Sequence, residues 1–211
     1  MRAAIVSNGE IHDLENAANI MKDCHFIVCA DGGTEYVLKC GLMPNAVVGD
    51  LDSVGQDVLK EIGNLKCKII KYPREKDYTD TQLAINYAIS QGADEIMMLG
   101  SIGSRIDHSL ANILLMIKLV KAGITPCIIN ENNIIYITDN NIKLRGKPGD
   151  TVSLIPVGGD VTDVYTSGLK YGLNGNTLSM GESIGVSNVF LYDEASVAVG
   201  KGFLLVIKSN D

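Results

Sequence analysis

Over its first 130 residues the chain alternates short β-branched runs with segments of helical period, and beyond about residue 131 that alternation stops. Ala3–Val6, Phe26–Ala30, Lys68–Lys71, Glu95–Leu99 and Pro126–Ile129 read as buried strands. Leu14–Asp23, Thr34–Cys40, Gln56–Ile62, Asp80–Gln91 and Ser109–Ala122 read as the helices between them. In the last of these, Leu110, Ile113, Leu114, Ile117 and Val120 are assigned to one apolar, core-facing stripe. This rhythm predicts an α/β domain over residues 1–131, a mostly parallel sheet with helices on both faces. Residues 140–211 hold half of the 22 glycines and no amphipathic helix. Short runs such as Thr151–Ile155, Ser196–Val199 and Phe203–Ile207 sit between turn residues there. Residues 132–211 are therefore expected to form an antiparallel β-sandwich-like domain.

Charge and cysteine usage narrow the function classes. With 25 acidic and 18 basic residues the net charge is -7. That is the wrong sign for a protein that binds nucleic-acid backbones or anionic membranes. A single nucleotide remains compatible, because a bound divalent cation reverses the local sign. The five cysteines form no CxxC pair, and with three histidines they match no zinc spacing. They read as buried free thiols of a reducing compartment. The chain opens without a signal-peptide pattern, and its most apolar stretch, Leu110–Val120, is too short to span a bilayer. The expectation is a soluble cytoplasmic protein.

Open parallel sheets bind ligands where their strands end, and four aspartate-bearing stretches fall at or near such ends. They are Ala30–Gly33, Val48–Ser53, Lys76–Asp80 and Gly100–His108. Asp50 and Asp52 can point at one oxygen-coordinated cation. Without it their repulsion is about 3 kcal/mol at about 5 Å and an effective dielectric near 20. The same residues also read as an acidic approach to a helix, since Ser53 and Gln56 have capping-box spacing. Thr79 and Gln82 repeat that ambiguity around Asp80, and Asp107 reads equally as a first-turn acid. Asp31-Gly32-Gly33 is either a tight turn or bare backbone left for a close ligand. There is no P-loop, GxGxxG or Cys–His pairing. Carboxylates and one arginine at a sheet edge suit cation-assisted transfer of a phosphate-containing group.

In order and spacing, the ADGG turn at Ala30–Gly33, the GDxDS at Gly49–Ser53, the KDxTD at Lys76–Asp80 and the loop from Gly103 to the RxDH ending at His108 resemble the thiamine pyrophosphokinase family. The resemblance continues through Leu154–Gly158, Thr166–Tyr171 and Ser187-Asn188, nearly the whole chain. It implies Mg2+-dependent transfer of a pyrophosphoryl group from ATP to the hydroxyethyl oxygen of thiamine, releasing AMP. It also implies a homodimer with shared active sites. On this likeness Asp50, Asp52 and Asp80 would hold the cation, and Asp80 or Asp107 would accept the hydroxyl proton. Asp31, Gly32, Thr79, Asp80, Gly103, Arg105 and Asp107 would line the nucleotide region. Tyr171, Ser187 and Asn188 would face thiamine, with Tyr171 standing where the family commonly has tryptophan. Two readings compete: a DxD nucleotide-sugar glycosyltransferase, and a non-catalytic thiamine- or nucleotide-sensing module.

Overall fold

Strand and helix alternate through the first of two compact units, Met1–Glu131 and Asn132–Asp211. The computed structural model describes residues 1–52, 54–63 and 67–210, without the side chains of residues 56 and 59–61. In chain order the first unit runs β1 (Arg2–Val6), α1 (Leu14–Lys22), β2 (Phe26–Ala30), α2 (Gly33–Lys39), β3 (Ala46–Gly49) and α3 (Gln56–Gly63). It continues through β4 (Lys68–Lys71), α4 (Asp80–Ser90), β5 (Glu95–Leu99), α5 (Ile106–Lys121) and β6 (Thr125–Ile129). The strands pair in parallel in the order β4-β3-β2-β1-β5-β6. The winding runs outward from β1 to β4, then crosses back to β5 and β6. Right-handed crossovers place α1–α3 on one face and α4 and α5 on the other. In keeping with this, α1 packs on α2, and α4 on α5. The reversal puts a topological switch point between the carboxyl ends of β1 and β5, the crevice where such sheets receive ligands.

Three details of this unit differ from the sequence reading. β3 was not among the expected strands, although its four residues are all buried between β2 and β4. Lys68–Lys71 is a strand but not a buried one, because β4 lies at the sheet edge with mostly exposed residues. Helix α5 begins at Ile106 and turns Ser109, Asn112, Met116 and Leu119 inward. Leu110 and Leu114, expected in the core, are exposed. The helix is apolar around most of its circumference, so periodicity alone could not choose the inner face. Helix α4 buries Leu83, Ala84, Ile85 and Ala88. No helix among the described residues is long and apolar enough to cross a membrane.

The second unit is all strand: β7 (Asn133–Thr138), β8 (Asn141–Arg145), β9 (Thr151–Ser167), β10 (Asn174–Leu178), β11 (Asn188–Val189), β12 (Glu194–Ala198) and β13 (Lys201–Ser209). All pairings among them are antiparallel, in the order β7-β13-β9-β12-β8, with β10 and β11 also on β9. The run expected at Thr151–Ile155 is the start of a 17-residue strand. β9 joins β13 and β11 with its first part and β12 and β10 with its last, and a register shift against β13 falls between. Val152, Leu154, Val161 and Val164 of β9 share one apolar core with Phe190, Leu204 and Val206.

Candidate active site

Each acidic stretch of the first unit leaves the sheet in a defined way. Asp31 follows β2 in the left-handed region, at φ 48, with its N–H donated to the Val48 carbonyl at 3.0 Å. Its own carbonyl accepts from the Thr34 hydroxyl at 2.7 Å, which starts α2 without a side-chain cap. The buried Asp31 carboxyl is thereby held at the sheet edge. Gly32 lies against Asn8, and a Cβ there would come within 2.6 Å of that side chain. The bare backbone is thus explained by packing, and Gly32 is not among the residues lining the cavity described below.

Gly49 ends β3 with φ +154, and a Cβ would meet Asp80 Oδ1 at 3.1 Å and Asp31 Cβ at 3.2 Å. Glycine is what lets the acidic stretches after β2 and before α4 converge here. Leu51 follows in the left-handed region at φ 67, a conformation a branched side chain seldom takes. It turns the chain so that the Asp52 N–H reaches Asp50 Oδ1 at 3.2 Å. Oxygens of Asp31, Asp50 and Asp52 all lie within 4.8 Å of one another. Three hard oxygen donors at that separation suit a divalent cation such as Mg2+. Ser53, the expected capping serine, lies outside the described residues.

Asp80 opens α4, and Thr79 caps it by accepting the Gln82 N–H at 3.2 Å. The same residue also lines the cavity described below. Asp80 stands beside the triad rather than within it, engaged by Lys76. The Lys76 ammonium lies 2.7 Å from Asp80 Oδ1 and 3.6 Å from Asp50 Oδ2, with its side chain only 12% exposed. Burial pulls this ammonium toward neutrality, but Asp80 and Asp50 outweigh it and raise its pKa. The Asp52 N–H and, against some desolvation, Lys76 hold the Asp50 carboxyl below its ordinary value. Lys76 was not among the expected site residues. It opens the KDxTD stretch, yet no role of its own was assigned to it.

A cavity of about 500 Å³ opens at the switch point, within the range of small-molecule sites. Asp31, Thr79, Asp80, Gly103 and Arg105 line it, with His108 beside them. Its floor is a polar network absent from the expected site. Ser7, after β1, shares a 2.9 Å hydrogen bond with Thr81, and Ser101, after β5, donates to Ser7 at 3.5 Å. Asn112 donates to the Ser101 carbonyl at 2.8 Å, and Ser109 accepts from the Gly103 N–H at 3.1 Å. The available signal was two polar residues three apart, Ser109 and Asn112, on one side of an otherwise apolar helix. Arg105 forks onto Asp107 at 3.2 and 2.6 Å. The bond from Arg105 holds the Asp107 carboxyl low, and Asp107 raises the guanidinium in return. Arg105 is 69% exposed, so this pair adds little stability, and Asp107 lies outside the cavity lining.

The residues expected to face thiamine belong to the second unit. Asn188 is buried, its amide oxygen accepting from the N–H groups of Tyr171 and Val189 at 2.9 Å each. Its amide nitrogen donates to the Tyr171 carbonyl at 2.8 Å. Asn188 therefore fixes the backbone that carries Tyr171. The Tyr171 ring is exposed, with the Lys170 ammonium 5.4 Å from its centroid. Ser187 is exposed at φ 57, its N–H donated to Ser153 Oγ at 3.0 Å.

With this geometry in place, the comparisons with known proteins agree. Residues 17–128 match the family model for the thiamin pyrophosphokinase catalytic domain. Residues 139–204 match that for the thiamin pyrophosphokinase vitamin B1 binding domain. A thiamine pyrophosphokinase of Bacillus subtilis is 31% identical over 184 residues, covering 86% of each chain. A rice thiamine pyrophosphokinase is 26% identical over 77% of this chain and 70% of its own. The crystal structure of a Bacillus subtilis thiamine pyrophosphokinase superposes over all of both chains with a TM-score of 0.89 at 29% identity. One from Geobacillus thermodenitrificans gives 0.85 at 27%, over all of this chain and 98% of its own. The chain belongs to the thiamine pyrophosphokinase family.

Proposed function

We propose that the protein transfers a pyrophosphoryl group from ATP to the hydroxyethyl oxygen of thiamine, giving thiamine diphosphate and AMP, with Mg2+ as the cation. The observation that carries this reading is the meeting of Asp31, Asp50 and Asp52 within 4.8 Å of one another, with Asp31 also walling a cavity of about 500 Å³. Asp50 and Asp52 hold the cation together with Asp31, and Asp80 adjoins them. When bound, a divalent cation neutralises phosphate oxygens and supports in-line displacement. Arg105 presents its guanidinium to the phosphate oxygens, steadied by Asp107. Both candidate proton acceptors are paired, Asp80 with Lys76 and Asp107 with Arg105, and Asp80 is favoured because it alone of the two lines the cavity. In the second unit Tyr171 and Ser187 face the thiamine, and Asn188 acts as a positioning residue for Tyr171. A cationic ring reaching the Tyr171 face displaces the Lys170 ammonium from it.

A homodimer is part of the same reading. Ile106, Leu110 and Leu114 form an exposed apolar stripe at helical spacing on α5, beginning next to Arg105. A second copy is the occupant we assign to it, and Leu110→Lys shifts the sedimentation of the protein toward monomer. Five free cysteines accord with a reducing, cytoplasmic setting. The two competing readings receive no support: both halves of the chain match thiamine pyrophosphokinase models, and the acidic positions of the site are all present. The deciding experiment incubates the purified protein with ATP, thiamine and Mg2+ and separates the products by chromatography. Thiamine diphosphate and AMP in equal amounts are expected. ADP as the nucleotide product, or no reaction, overturns the proposal.

A further inference from the structure

Among the described residues one covered ammonium stands within a cluster of four carboxylates. Asp31, Asp50, Asp52 and Asp80 bring four carboxylates to the ends of β2 and β3 and the start of α4. Among the described residues Lys76 is the covered cation beside them, 12% exposed, whereas Arg74 reaches Asp52 at 3.7 Å from an 84% exposed side chain. An ammonium carries three donors. The 2.7 Å contact with Asp80 lacks the angle of a hydrogen bond, and the 3.6 Å contact with Asp50 is too long for one. Lys76 thus sits among these carboxylates by charge and not by directed bonds. Asp50 belongs both to the Lys76 contact and to the oxygen triad. A divalent ion on the triad and the ammonium on Asp50 therefore compete for one carboxylate.

We propose that Lys76 is an exchangeable counter-cation: it holds Asp50 and Asp80 while no divalent ion is bound, and turns to a phosphate oxygen of the nucleotide when one is. The proposal rests on the reading of the site given above. The position suits the second role, because Lys76 stands four residues before Asp80, which lines the cavity. Lysine serves there as a point charge for phosphate. A static alternative, in which Lys76 only pins residues 72–79 to the cluster, predicts no competition with metal.

The test begins without nucleotide. Mn2+ is titrated by electron paramagnetic resonance into wild type and Lys76→Gln. The variant should bind about tenfold tighter, as expected when a unit charge about 4 Å from a ligand carboxylate is removed. Equal or weaker binding by a folded Lys76→Gln overturns the proposal. A second measurement needs no variant: acetylation of Lys76 in the wild type, read by peptide mass spectrometry. Mn2+ alone should raise it several-fold, and a non-hydrolysable ATP analogue added with Mn2+ should lower it again. Labelling that Mn2+ leaves unchanged overturns the exchange. Product formation is scored separately on the wild type. Exchange without thiamine diphosphate removes the activity reading and leaves Lys76 its role; thiamine diphosphate without exchange does the reverse.

Discussion

Lys76 in the first unit and Lys208 in the second are both largely covered lysines beside carboxylates, 12% and 19% exposed, and they are held differently. Lys208 lies 2.9 Å from Asp150, donates to the Arg145 carbonyl at 3.3 Å and sits 5.9 Å from the centroid of the Phe190 ring. Its neighbours are one carboxylate, one backbone oxygen and one aromatic face, so its charge is matched and its direction set. Lys76 faces two carboxylates of a larger acidic group, with no aligned acceptor among the described residues. The contrast teaches that burial of an ion pair does not by itself define its work. A matched pair clamps strands, while a pair inside an excess of one sign is poised to change partners.

The largest test of this contrast is Asp50→Asn. It leaves the fold intact by circular dichroism and lowers turnover by about 10²- to 10³-fold, the scale of losing one preorganised electrostatic contact. A variant retaining full activity would remove Asp50 from the cation site. Next comes Asn188→Ala in the second unit. It strips a buried side chain of three hydrogen bonds, and urea unfolding should show a loss of about 2–3 kcal/mol. If the Michaelis constant for thiamine rises with no loss of stability, Asn188 is a contact residue and not a positioning one.

Lys208→Gln is smaller, about 1–2 kcal/mol at pH 7. Its sign with pH follows from Asp150, whose carboxyl is held low first by Lys208 and then by the Lys147 N–H. A depressed carboxyl contributes stability above its unfolded value near 3.9 and loses it as pH falls through the lower folded value. The gap between wild type and variant should therefore be full at pH 7 and shrink below about pH 4. A gap independent of pH would assign the effect to packing on Phe190 instead. The smallest effect is in the thiols. Burial pushes Cys24 up to about 11 and Cys127 up to about 12, and raises Cys29 further. None of the three should react with iodoacetamide at pH 8 within minutes, and rapid labelling of Cys127 would show that β6 opens.

Local chemistry explains which parts of this site were legible. Asp31, Asp50, Thr79 and Asp80 drew notice because acids beside small residues at strand and helix ends form a short-range pattern. That pattern fits capping equally well, and only their order along the chain, through the family resemblance, gave them a role. The parallel and antiparallel halves were legible through period and turn residues. Lys76 was visible as the first residue of the KDxTD stretch, but its contact with Asp50 appears only once the fold brings the two stretches together. The inner face of α5 was hidden by apolar residues on several sides. Asn188 was placed on the thiamine side by the family resemblance alone, and its hold on the Tyr171 backbone, 17 residues away, leaves no local signal. β3 is four residues long and runs straight into the acidic motif, too brief for any periodicity to register.

The place of β13 in its sheet carries a consequence for how the protein is made. It is the last strand in chain order, yet it lies between β7 and β9, paired along most of its length with both. During vectorial synthesis the first unit has all its strands in hand while β7 and β9 still present open edges to one another and to other chains. A ribosome stalled before residue 201 thus displays a folded catalytic half on an unfinished sheet. Such nascent chains keep unpaired strand edges, and with them a tendency to aggregate, until β13 emerges to join β7 and β9.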